Sequence, residues 1–421
     1  MNKRLLHTPE GVRDIYSLEC EKKLVLQNRL HHRLKTYGYH DIQTPGFEYF
    51  DVFSREVGTI ASRELFKFFD RDGNTLVLRP DFTPSIARSA AKYYMEETKP
   101  IRMCYMGNTF INSLNYQGRL KETTQLGAEL LGDPSVEADA EMIALIIELL
   151  LDAGLKEFQV SVGQIDFFKG LLEESGMDEE HELTLRELIS NKNHFGIEEL
   201  LLTLPMEEDV RQAFIRMPEL FGSVSMLEEA EKLVKNERSA NAILRLRKVY
   251  EVLCIYGLSD YVSFDLGMVS KYNYYTGVIF QAYTYGTGEA IVKGGRYDSL
   301  LSRFGKDFAA TGFAVVVDQL MNALSRQKID IPVAADGILI LYEDPGRAAA
   351  IRLAGQLRKD GRSVELVKKL SGEHSADYEA FAKENGHGEI LDVMPDGTYL
   401  CRKLSSEAQA ENRTDAEEGQ A

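Results

Sequence analysis

Leu78-Arg79-Pro80-Asp81-Phe82-Thr83-Pro84 sets an Arg, an Asp and a Thr where an apolar strand ends and a helix begins. Leu76-Val77-Leu78 before it reads as a buried strand, and Pro84 suits a first helical turn, where its missing N–H costs nothing. Convergent polar groups at such a junction suit a small zwitterion, because a carboxylate and a hydroxyl together can receive an ammonium group. Asp81 and Thr83 could equally serve as helix caps, accepting from the first unpaired N–H groups. Spacing alone leaves both readings open.

Upstream, Leu26, Leu30, Leu34 and Tyr37 recur at helical spacing, and Gly38 supplies the left-handed residue that a helix end favours. Tyr39-His40-Asp41-Ile42-Gln43-Thr44-Pro45 reads as a short strand stopped at Pro45, and Met103 to Tyr105 as a buried one. Gln125 and Glu129 share a side whether extended or helical; a buried Glu129 costs several kcal/mol unless paired, so it is expected to meet a cation or to be exposed. Val262, Phe264, Leu266 and Met268 alternate with polar or small residues, and Val278 to Tyr283 follows a turn at Thr276-Gly277. This predicts an antiparallel hairpin. Tyr274 and Tyr275 bring phenol hydroxyls to it, and the glycine pair of Lys293-Gly294-Gly295-Arg296-Tyr297-Asp298 reads as a turn beside a charge pair.

The 421 residues suggest two or three domains, and 44% hydrophobic against 27% charged residues is an ordinary globular balance. With 49 Lys+Arg against 66 Asp+Glu the net charge is −17, which argues against a broad nucleic-acid footprint. Cys20, Cys104, Cys254 and Cys401 are far apart, so reduced thiols and a cytoplasmic location are expected. The greasiest run, Met142 to Leu151, is too short to span a bilayer, which takes ~20 residues. Residues 166–255 read as a helical insertion, 335–403 as a small α/β domain with a βαβ unit, and 404–421 as a disordered acidic tail.

No phosphate-binding glycine loop, hydrolase elbow or zinc-protease helix is present, and the eight His lack metal-ligand spacing. Read in order, however, the segments resemble a class II aminoacyl-tRNA synthetase, specifically the histidyl one. Residues 39–45 are similar to its motif 1, Leu78 to Thr83 to its L-R-P-E-x-T, Tyr105 to Glu129 to motif 2, Tyr272 to Gly277 to the histidine-specific segment, Gly294 to Asp298 to G-G-R-Y-D, and Gly312-Phe313-Ala314 to motif 3. The resemblance covers roughly residues 8–330. It implies an α+β fold, a class II aminoacyl-tRNA synthetase-like antiparallel sheet flanked by helices, with a domain at 1–330 and a homodimer through motif 1. The C-terminal domain resembles a shortened anticodon-binding domain.

Three departures stand out. Ile111, Ser270 and Gln319 occupy positions where the synthetase carries arginines that hold ATP and the reacting carboxylate. Each charge-assisted hydrogen bond is worth roughly 1.5–3 kcal/mol, so their loss removes on the order of a thousandfold in rate. The residues corresponding to the histidine pocket remain: Thr83, Gln125, Glu129, Tyr274 and Tyr275, with Asp81 in place of Glu and Arg119 at the later motif 2 arginine. A kept pocket without activation arginines resembles the regulatory-subunit family of ATP phosphoribosyltransferase. That implies a non-catalytic partner of a short-form catalytic chain, usually in a hetero-octamer, conveying feedback by L-histidine in the first step of its biosynthesis. The resemblance implies no cofactor or metal. The alternative is a divergent active histidyl-tRNA synthetase.

Overall fold

The computed structural model of the chain describes residues 6–53, 60–112, 120–269, 274–370 and 374–404. Of the expected tail only Leu404 is described, and its N–H donates to the Gly388 carbonyl oxygen; residues 405–421 and Ser270 lie outside the described residues. Two compact units are present, Met1–Asp14 with Leu26–Asp330, and Ile15–Val25 with Ile331–Ala421.

Helix α1 (Ser17–Thr36) buries Leu26, Leu30 and Leu34 completely, and Gly38 beyond it has φ +78°. Strand β1 is short (His40–Asp41). Strands β2 (Phe47–Tyr49), β3 (Lys67–Phe69) and β4 (Thr75–Leu78) then make a small antiparallel sheet in the order β2-β4-β3, and α2 (Thr83–Tyr93) leaves its end. The long hairpin β5 (Ile101–Phe110) and β6 (Glu122–Leu131) is followed by α3 (Val136–Asp152). Helix α3 is apolar almost all round because it is enclosed, and Ser135 caps it by accepting from the Ala138 N–H.

After β7 (Phe158–Gln164) come the helices α4 (Ile165–Ser175), α5 (Glu179–Ser190), α6 (His194–Leu202), α7 (Glu208–Arg216), α8 (Met226–Leu233) and α9 (Glu237–Tyr256), with the short β8 (Phe221–Gly222) among them. Strands β9 (Val262–Asp265), β10 (Val278–Thr284), β11 (Val292–Arg296) and β12 (Ala310–Val316) and helix α10 (Val317–Arg326) complete the unit. The nine-stranded sheet runs β1-β5-β6-β12-β11-β10-β7-β9-β8. Its pairs are antiparallel except β1 with β5 and β7 with β9.

Two expectations are corrected here. Strands β9 and β10 are not a hairpin: β7 lies between them, parallel to β9 and antiparallel to β10. Twelve residues, 266–277, separate the two strands, more than the 2–5 of a hairpin loop, and β10 pairs instead with β11, the next strand in sequence, and with the distant β7. Gly294 and Gly295 make no turn either. They sit inside β11, where a Cβ on Gly294 would stand 2.3 Å from the Phe280 ring and 2.4 Å from the Gly312 carbonyl oxygen. They permit close packing.

In the second unit, β13 (Gly337–Tyr342), α11 (Arg347–Lys359), β14 (Val364–Lys368), α12 (Ser375–Glu384), β15 (His387–Val393) and β16 (Tyr399–Lys403) form a sheet in the order β14-β13-β15-β16. Strand β13 is parallel to both neighbours, and β16 is antiparallel. The unbroken apolar run Ile338 to Leu341 follows from burial on both faces: Ile338 and Ile340 pack on α11, Leu339 and Leu341 on α12. Among the described residues no helix is long and apolar enough to cross a membrane.

Candidate functional site

The β4–α2 junction opens on a cavity of about 80 Å³, room for about half a dozen waters or a small organic molecule. Asp81, Thr83, Gln125, Tyr274 and Tyr275 line it. Glu129 lies behind the wall and hydrogen-bonds to two lining residues, Thr83 and Tyr297. The structure thus brings six of the seven sequence-derived residues together; Arg119 lies outside the described residues.

Strand periodicity positions Gln125 and Glu129 on one side of β6. The capping reading holds for Asp81 alone, whose Oδ1 accepts the Thr83 N–H at 3.2 Å, whereas the Thr83 hydroxyl turns inward and donates to Glu129 Oε1 at 3.1 Å. The Tyr274 hydroxyl lies 3.5 Å from Asp81 Oδ2. Arg79 does not enter this polar cluster: its guanidinium donates to the carbonyls of Asn108 and Thr44, each at 2.8 Å, and lies over the Phe82 ring. It braces the junction.

Glu129 departs from the expectation. It is 1% exposed, yet its hydrogen-bond partners are hydroxyls: Thr83, and Tyr297 donating to Oε2 at 2.5 Å. The dilemma of cation or exposure is avoided because a buried carboxyl can hold its proton instead. Burial, added to by the Asp81 charge and opposed by the Tyr297 hydrogen bond, pushes Glu129 up to about 8. Loss of solvent likewise raises Asp81, against the N–H groups of Thr83 and Phe82. Burial and then the Glu129 charge raise the Tyr105 and Tyr297 phenols, so both remain neutral donors.

Sequence reasoning missed Tyr297 and Gly312 as site residues. Gly312 faces Glu129 across β6–β12, and a Cβ there would stand 1.6 Å from Glu129 Oε2. Tyr297 follows Lys293 and Gly295 at period two, a signal that was available in the sequence. Gln125 Oε1 is buried without a partner and belongs to a residue lining the cavity, which makes it an acceptor ready for a donor from a ligand.

A histidyl-tRNA synthetase family profile matches residues 11–320. An ATP phosphoribosyltransferase regulatory subunit of Acetivibrio thermocellus is 42% identical over 95% of both chains. The chain belongs to the family of ATP phosphoribosyltransferase regulatory subunits. A Bacillus halodurans protein described as an ATP phosphoribosyltransferase regulatory subunit/histidyl-tRNA synthetase superposes with a TM-score of 0.80 at 35% identity, covering 93% of this chain and 98% of its own. Histidyl-tRNA synthetase of Nostoc sp. PCC 7120 shares the fold, with a TM-score of 0.76 at 18% identity over 97% and 99% of the two chains. The regulatory subunit therefore has a class II synthetase-like body, and it serves histidine biosynthesis beside a separate catalytic chain.

Proposed function

We propose that this regulatory subunit is itself non-catalytic, binds L-histidine in the cavity and conveys feedback inhibition to a short-form catalytic subunit. The observation that carries the reading is the polar lining of the cavity: the Asp81 carboxyl, an unpartnered Gln125 amide oxygen and tyrosine phenols meet there, with the Glu129 carboxyl directly behind Thr83 and Tyr297. Asp81 and Thr83 would receive the α-ammonium and Glu129 an imidazole N–H. Ile111, at a position where the resemblance to the synthetase expects an arginine, lines the same cavity with an apolar side chain and offers ATP no donor. Gln319 and Ser270 at the other two arginine positions support the same conclusion. Dimerisation through residues 39–45 and a hetero-octamer complete the proposal, and the acidic balance argues against a tRNA partner.

The test mixes the full chain with a short-form catalytic subunit and follows phosphoribosyl-ATP formation with and without histidine. Stimulation that histidine suppresses is the expected result. Stimulation without histidine sensitivity would remove the effector site; histidine-dependent ATP–pyrophosphate exchange by the isolated chain would overturn the non-catalytic reading.

A further inference from the structure

Asp81 lines the cavity, and Glu129 lies buried behind its wall, hydrogen-bonded to the lining residues Thr83 and Tyr297. The Thr83 hydroxyl binds Glu129, and the Thr83 N–H binds Asp81, so a single residue ties the pair together. The groups facing Glu129 are Asp81 and Thr83 from the β4–α2 junction, Tyr105 from β5, Tyr297 beyond β11 and Tyr39 before β1, and Tyr275, ahead of β10, acts on Tyr105 and Tyr297. Tyr274 and Lys293 also line the cavity, Lys293 being the one cation that does so among the described residues. Two enclosed carboxylates repel each other and both resist ionisation, so they titrate as a pair.

We infer that the empty pocket keeps a proton on the Asp81–Glu129 pair and releases it in exchange for the ammonium group of the ligand, so that histidine binding is coupled to proton loss. The inference rests on the histidine reading above. The α-ammonium at Asp81 offsets the charge that helps to retain the proton, Glu129 then takes the imidazole N–H as an anion, and the hydroxyls of Thr83 and Tyr297 are already oriented as donors to it. Linkage makes the effect reciprocal: raising the pH strengthens binding until the pair is ionised without help. The exchange also excludes neutral isosteres. A ligand with the imidazole but without the amine cannot displace the proton.

The proton count is read by titration calorimetry of L-histidine into the full chain at pH 7.5, in phosphate and in Tris, whose ionisation heats differ. At that pH free imidazole is roughly nine-tenths neutral, so it contributes about 0.1 proton at most. Release of roughly 0.7 proton per histidine is expected, from a pair whose raised member lies near 8. Tyr297→Phe, which removes a donor to the anion, should bring release closer to one proton and move the pH midpoint of affinity upward. Binding with the same heat in both buffers would overturn the exchange while leaving the histidine site standing. An unmoved midpoint in Tyr297→Phe would equally overturn it. No binding at all would overturn the histidine reading and the exchange with it.

Discussion

Two buried carboxylates in the same unit have opposite surroundings. Asp139 on α3 is 0% exposed and gripped by two guanidiniums, Arg296 at 2.7 Å and Arg245 at 2.6 Å. Glu129 on β6 is 1% exposed, and the groups that donate to it are the hydroxyls of Thr83 and Tyr297. The first has its charge neutralised by the fold, whereas the second has room beside it and no guanidinium. A protein that spends two arginines on Asp139 and none on Glu129 has left the second carboxyl for something that arrives from outside.

The comparison breaks most visibly at Asp139. Asp139→Ala leaves Arg296 and Arg245 buried or half-buried without their shared anion, and about 3–5 kcal/mol of folding stability should be lost, measured by urea unfolding. A loss below about 1 kcal/mol would mean that the cluster is not what holds α3 to the sheet. Next, Gly312→Ala puts a methyl group where Glu129 Oε2 now lies; the strand must shift, costing about 1–3 kcal/mol, and histidine affinity should fall at least tenfold. Unchanged affinity would mean that Glu129 can leave its position without consequence for binding.

Glu129→Gln should act in the opposite direction to Asp139→Ala. The folded Glu129 binds its proton up to about pH 8, while in the unfolded chain it titrates near the ordinary Glu value of about 4.3. Between those values the native state holds more protons than the unfolded one, so stability is full below about pH 4 and declines as the pH rises toward 8. The variant lacks this slope. At pH 8 the empty Glu129→Gln chain should be more stable by about 1–3 kcal/mol in thermal or urea unfolding, while histidine binding is lost. If the wild type and the variant showed parallel stability–pH curves, Glu129 would be ionised in the empty pocket.

How much of this could be read in the sequence depends on range. Asp81 and Thr83 are two apart at a strand–helix junction, and Gln125 and Glu129 four apart on one strand, so local periodicity brings them to one side. Tyr297 is 168 residues from Glu129, and Gly312 meets it only through the β6–β12 register. No local pattern encodes such a register. The same limit produced the hairpin expectation for β9 and β10: alternation marks each strand, but nothing local says that β7 enters between them. The glycines of β11 were misread for a related reason, since a close approach to Phe280 and a turn both require glycine.

The smallest effect sharpens the contrast most. Thr83→Val keeps the shape of the side chain and deletes the hydroxyl that donates to Glu129 Oε1 at 3.1 Å. Where Glu129 is protonated, the loss is one neutral hydrogen bond, about 0.5–1.5 kcal/mol; above its titration the carboxylate loses a donor to a charge, about 1.5–3 kcal/mol. The destabilisation should therefore grow as the pH is raised from 6 to 9. A conservative change in the Asp139 cluster, Arg245→Lys, has no reason to show this growth, because the Asp139 carboxyl keeps a guanidinium partner in Arg296. Equal pH dependence in the two variants would erase the distinction between a carboxyl neutralised by the fold and one left open for a ligand.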